Sequence, residues 1–130
     1  MVRKGGILLA YDQIDDLRII KQAEAIADKI WSLAINWPPF VKDTIGKQLV
    51  RSADSIGANI AEGYGRYHRN DIIRFLFISR GSLQETKYWL SRILKRGLIT
   101  ESAHGEIING LNNLAPQLNA FISAKRRLGL

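Results

Sequence analysis

Apolar side chains recur at intervals of three and four residues through four stretches of this chain, and nowhere do they alternate at the interval of two that a half-buried strand requires. That spacing lays an apolar stripe along one side of an α-helix. The first stretch, from about Asp15 to Trp37, carries Ile20, Ala23, Ala27, Ile30, Trp31 and Ala34 on its stripe, with Ile19, Ile26 and Leu33 as a second row. Asp15 and Asp16 put negative charge in its first turn, where the helix dipole favours it. Trp37-Pro38-Pro39 ends it, because proline restricts the residue before it and cannot extend the hydrogen-bond ladder.

The second stretch, from about Lys42 to Glu62, has Ile45, Leu49, Ser52, Ile56 and Asn59 or Ile60 along one side. Its latter half, SADSIGANIAEG, is almost entirely small or polar, which predicts a close helix crossing there. Gly63 and Gly65 are expected to close it in left-handed conformations. The third stretch opens with Asn70 as N-cap and Asp71 in its first turn, and runs along Ile72, Phe75, Leu76, Ser79, Leu83, Thr86, Leu90, Ile93 and Leu94 to a stop at Gly97. Ile73, Phe77 and Tyr88 fall away from that stripe and Gly81 falls about opposite its centre, so this helix is apolar on a second side. In a domain of this size, such a side is expected to serve as an oligomer interface. Thr100 caps a fourth helix through Ile107 or Ile108, Leu111, Leu114, Leu118, Phe121 and Ile122, interrupted by Pro116 and ending in Lys125-Arg126-Arg127. Four amphipathic helices on short loops predict an all-α fold, an antiparallel up-down-up-down four-helix bundle over residues 14–130, preceded by an N-terminal extension over residues 1–13.

At 130 residues one domain is the natural size. The chain has no cysteine and two histidines, His68 and His104, both expected at the surface; disulfides and thiolate metal sites are ruled out, and no cofactor or metal is expected. Ile7 to Ala10 is too short for a signal-peptide core, and nothing approaches the roughly 18 apolar residues of a membrane span, so a cytoplasmic location with no membrane partner is expected.

The net charge is +7 with an isoelectric point near 10. A cationic surface of this kind attracts polyanions. The excess is uneven: residues 51–96 hold nine basic and four acidic side chains, which is +5 of the +7. Within them, Tyr64, Arg66, Tyr67, His68 and Arg69 interleave rings with cations, a pattern suited to stacking on unpaired bases while neutralising phosphates. Arg66, Arg69, Arg74, Arg92, Lys95 and Arg96, with Tyr64 and Tyr67, are the candidate nucleic-acid-binding residues, with RNA favoured over DNA. The alternative for the corner is a solvated loop whose arginines pair with Glu62 and Asp71. Its two glycines do not have the spacing of a phosphate-binding loop and join helix to helix. Glu62 or Glu85 beside an arginine could be a base with an anion clamp, but no nucleophile or second convergent acid accompanies them. The expected function is therefore non-catalytic.

The run SADSIGANIAEGYGR followed by NDIIRFLFISRGSLQET closely resembles the signature of the bacterial 23S rRNA intervening-sequence proteins, and DDLRIIKQAEAIADKIW resembles their opening segment. The likeness reaches about residue 99, with Ser55, Asn59, Glu62, Gly63, Arg66, Arg74, Phe75, Arg80, Gly81 and Ser82 matching the signature. The resemblance implies an antiparallel four-helix bundle assembled as a homopentamer. It also implies a role like that of relatives that are accessory proteins of diversity-generating retroelements, which bind nucleic acid and a reverse transcriptase. It supplies no catalytic residue. The N-terminal extension, Tyr67-His68 and Pro116 depart from the family pattern.

Overall fold

The computed structural model describes residues 14–128. Helix α1 (Ile14–Ala34) ends before the diproline, with the Trp37 amide donating back to the Ala34 carbonyl. Pro39 opens a single helical turn (Pro39–Val41), which passes through a π-helical turn (Lys42–Gly46) into α2 (Lys47–Tyr64). Helices α3 (Arg69–Lys95) and α4 (Glu101–Leu128) complete the bundle. The predicted fold is thus observed: the described residues form helices joined by short turns, and contain no strand.

Successive helices pack side by side, and α4 closes back onto α1. Gln22 and Gln117 exchange amide hydrogen bonds of 3.0 Å, and Lys29 pairs with Glu106 at 3.6 Å, which fixes α1 and α4 as antiparallel. The core is aliphatic, with Ile30, Leu49, Ile56, Leu76, Leu83, Leu90 and Leu111 among its solvent-free side chains. Both apolar rows of α1 are used: Ile19, Ile26 and Ile30 are buried because this helix faces two neighbours. Trp31, read as part of the stripe, instead stands 53% exposed.

The α2–α3 crossing is the polar centre of the fold. The Ser79 hydroxyl donates to the Ile56 carbonyl at 2.7 Å, Ser82 donates to the Ser55 hydroxyl at 2.8 Å, and the Thr86 hydroxyl lies 3.0 Å from that of Ser52. Small side chains admit the close approach, and each buried hydroxyl finds a partner across it or on its own helix. Asn59 donates to the Ser55 carbonyl and hydroxyl, both at 2.8 Å.

The stops differ in detail from expectation. Gly97, at φ +73°, is the one left-handed residue among those described, and it closes α3 with paired bonds from Leu98 N–H to Ile93 and from Gly97 N–H to Leu94. Gly63 and Gly65 are not left-handed: Gly63 lies inside α2 and Gly65 has φ −78°. Gly63 lies in the close packing of α2 on the first turns of α3, where a β-carbon would sit 3.4 Å from the Ile72 carbonyl oxygen. Helix α3 starts two residues earlier than an Asn70 cap would place it, because extended His68 ends the corner and its carbonyl accepts the Asp71 and Ile72 amides. Thr100 does cap α4, accepting the Ala103 amide at 3.1 Å. Helix α4 runs through Pro116, which is exposed.

Candidate nucleic-acid interface

Antiparallel packing brings the last turns of α4 beside the corner that joins α2 to α3. The Tyr64 and Phe121 rings stack at 5.5 Å, and the Lys125 ammonium lies 5.2 Å from the Phe121 centroid. Lys125, Arg126 and Arg127, which end the fourth helix, therefore join the corner arginines. Two phenylalanines of α3 organise the rest. The Arg66 and Arg74 guanidiniums lie 4.8 and 5.1 Å from the Phe75 centroid, and those of Arg80 and Arg126 lie 4.6 and 5.0 Å from that of Phe77. A ring face attracts a guanidinium and leaves its planar N–H edge for an anion. Phe75 and Phe77 are two positions apart, roughly 200° around the helix, so the arginine pairs flank α3 on different sides.

Some of this charge is internally compensated. Arg66 pairs with Glu62, Arg74 pairs with Asp71 at 3.3 Å, and Arg80 donates to the Asn119 side-chain carbonyl at 3.1 Å. The alternative of acid-paired arginines thus holds for Arg66 and for Arg74, while Arg69 has no acid partner among the described residues. Exposed pairs of this kind contribute little and exchange readily with another anion. Arg66, Arg69, Arg74, Arg80, Lys125, Arg126 and Arg127 are seven cations against the two acids Glu62 and Asp71, a local surplus of five. Tyr67 projects from this end, 93% exposed, with its ring edge against His68 at 5.1 Å.

Not every predicted residue belongs here. The Tyr64 ring packs on Phe121 and the core, so it stabilises the corner instead of offering a stacking platform. Arg92, Lys95 and Arg96 sit at the far end of α3: eighteen residues separate Arg74 from Arg92, about 27 Å along the axis. Arg92 is also half-buried. The sequence run that looked like one basic patch is therefore two, and the larger gains the α4 terminus.

The predicted interface residues divide as well. Phe77 packs against the core under Arg80 and Arg126, and Ile73 is half-buried. Tyr88 is exposed, Gly81 faces open space, and Ile78, absent from the sequence assignment, is exposed near them. Of the two candidate acids, Glu62 holds Arg66, and Glu85 accepts the Trp89 indole N–H at 3.0 Å. No group of three or more metal-ligating side chains occurs among the described residues, and no helix among them is long and apolar enough to cross a membrane. His68 is exposed as expected, whereas His104 is half-buried with its Nε2 enclosed.

Fold and site together define a small antiparallel helical bundle with a basic, aromatic-lined end. The sequence profile of the 23S rRNA-intervening sequence proteins matches residues 15–120, and the chain belongs to that family. A crystal structure of a protein of unknown function from the S23 ribosomal protein family of Bacteroides thetaiotaomicron VPI-5482 is similar to it. The two share 28% identity, with a TM-score of 0.75, over 85% of this chain and 99% of that one. No curated protein matches the chain.

Proposed function

We propose that the protein is a non-catalytic, homo-oligomeric nucleic-acid-binding accessory protein that grips phosphates with the corner end of its bundle. The carrying observation is that Arg80 of α3 and Arg126 of α4 share the Phe77 ring, and that Lys125 lies on Phe121, which stacks on Tyr64 at the corner, so cations from two helices distant in sequence gather at the end of the bundle where Tyr67 is exposed. Phosphate contacts supply the affinity, and the Tyr67 ring stacks on an unpaired base, so single-stranded or looped RNA is the favoured ligand. Partial pairing of Arg66 and Arg74 within the chain leaves them as exchangeable reserves. The open Ile78, Gly81 and Tyr88 surface supports assembly, for which the family resemblance suggests a pentamer. Several copies on one strand would multiply a modest affinity.

The test is a titration of a short single-stranded RNA, the matching DNA and an RNA duplex at about 50 and about 200 mM salt. With five phosphates neutralised, the single-strand slope of about −0.7 per contact weakens binding about a hundredfold over that range. Binding that ignores salt, or is absent at the lower concentration, overturns the proposal. Salt-dependent binding that prefers duplex would overturn the stacking role of Tyr67.

A further inference from the structure

We infer that the seam between α3 and α4 carries the RNA strand onward from the corner end, with Arg80 and Lys87 on its phosphates and the amides of Gln84, Asn112 and Asn119 on its sugars and base edges. The inference rests on the nucleic-acid reading above, and it adds the path of the strand and the uncharged groups that meet it.

The α3 side of the seam is a row at helical spacing: Arg80, Gln84, Lys87 and Ser91 follow one another at threes and fours and share one side of the helix. On α4, Asn112, Asn119 and Arg126 are separated by two turns each and share the side that faces α3. Two contacts fix the register. Arg80 donates to the Asn119 side-chain carbonyl at 3.1 Å, and the Arg126 guanidinium lies 5.0 Å from the Phe77 centroid. These contacts make the two helices antiparallel, so two turns beyond the Arg80 and Asn119 bond, about 10 Å along each axis, Lys87 comes level with Asn112. A cation beside an amide therefore recurs along the seam. Beneath it, Phe77, Ala115 and Ile108 are half-buried against the core and give it an apolar floor.

The side chains along this row are available to a ligand. Gln84, Asn112 and Asn119 are exposed, and among the described residues the side chains of Gln84, Lys87 and Asn112 have no hydrogen-bond or ion-pair partner. Asn119 gives its oxygen to Arg80 and keeps its amide N–H groups. An amide both donates and accepts, which suits a ribose hydroxyl or a base edge, while the adjacent cation meets the phosphate. No carboxylate stands in the way. Asp71 pairs with Arg74 and Glu85 with Trp89 away from the seam, Glu106 faces α1 through Lys29, and Glu101 opens α4 at the opposite pole. Two other seams differ: Gln22 and Gln117 bond across that of α1 and α4, and Glu24, Asp28 and Asp54 line that of α1 and α2. The α3–α4 seam thus leaves the corner without passing an acid, and the path ends at Lys87 and Asn112, short of the far-pole cations.

The experiment titrates single-stranded RNAs of about 6 and about 12 nucleotides, within the site sizes of small single-strand-binding domains, over a salt series. The proteins are the natural chain, Lys87→Gln, Gln84→Ala with Asn112→Ala, and Lys29→Gln as an equal charge change outside the seam, with helix content checked by circular dichroism. Extra registers on a longer strand raise affinity without altering the salt slope, so the slope counts phosphate contacts. On the natural chain the longer RNA is expected to show a slope steeper by about 0.7 than the shorter one, and Lys87→Gln to remove that increment while keeping the slope of the shorter RNA. The double amide variant is expected to weaken the longer RNA roughly fivefold or more with its slope unchanged, and Lys29→Gln to retain the increment. With the shorter RNA still bound, equal slopes for the two lengths, or an increment that survives Lys87→Gln or is lost in Lys29→Gln, would overturn the path and leave the corner site standing. Unchanged binding of the longer RNA by the double amide variant overturns the amide contacts. Absence of binding at both lengths overturns the nucleic-acid reading itself, and the path with it.

Discussion

Single positions set the close contacts on which this bundle depends. Ser79 is solvent-free and its hydroxyl reaches the facing Ile56 carbonyl. Ser79→Ala should cost about 1 kcal/mol, the ordinary worth of such a bond, whereas Ser79→Leu should cost about 1–3 kcal/mol or more through overpacking, both read from urea midpoints. Equal effects would show that the site is not tightly packed. Gly46 carries a different constraint, since a β-carbon there would stand 3.0 Å from the Val41 carbonyl oxygen across the π-helical turn. Gly46→Ala should lower stability by about 1–3 kcal/mol, and an unchanged midpoint would contradict the turn. Asp54 gives a signed pH effect. Its carboxyl is raised, first by burial and then by Asp28, so it holds its proton more tightly folded than unfolded. Its contribution to stability is therefore present below the unfolded carboxylate value and lost as pH rises through the folded value. In dilute solution, Asp54→Asn should gain stability relative to the natural chain as pH rises from acid to neutral; a constant difference would contradict the assignment. Little of this was legible in the sequence. Small residues announced the crossing, but Gly46 needed a π-helical turn that no periodicity signals, and Asp54 needed its neighbour across the helix seam.

Among the elements, α3 carries the larger share of the proposed interface, and its two ends lie at opposite poles of the bundle. Its first three turns hold Phe75 and Phe77 with their paired arginines, while Arg92, Lys95 and Arg96 lie at the opposite pole. Stacking on Tyr67 should be worth about 1–3 kcal/mol. Tyr67→Ala is therefore expected to weaken single-stranded RNA binding roughly five- to a hundredfold with little change for duplex, as read by fluorescence anisotropy; equal losses on both ligands would show that the ring does not stack. Helix existence and faces were readable because apolar spacing is a local property, and the Gly97 stop and Thr100 cap were readable because their chemistry is local. Trp31 and Tyr64 were not. Trp31 falls within the apolar arc of α1 yet lies past the cover its neighbours provide, and Tyr64 turns onto Phe121, fifty-seven positions away in the chain.

At the level of the whole molecule, antiparallel topology converts a spread of positive charge into a localised one. The sequence concentrates charge in residues 51–96, but about 27 Å of helix axis divides that charge between two poles. The α4 terminus, which composition alone ranks as a minor contributor, tips the balance toward the corner. The four-helix class followed from periodicity, and the central signature carried the family; the composition of the basic end could not follow from either, because it depends on which helix ends meet. The most direct measurement compares the salt dependence of single-stranded RNA binding for two triple variants: Arg69→Gln, Arg126→Gln and Arg127→Gln at the corner end, and Arg92→Gln, Lys95→Gln and Arg96→Gln at the far end. The corner variant is predicted to lose about two units of the logarithmic salt slope, near 0.7 per lost contact, and most of its affinity, while the far-end variant keeps the natural slope. A far-end variant that loses as much as the corner variant, or a corner variant that binds as the natural chain does, would contradict the assignment of the interface to the corner end.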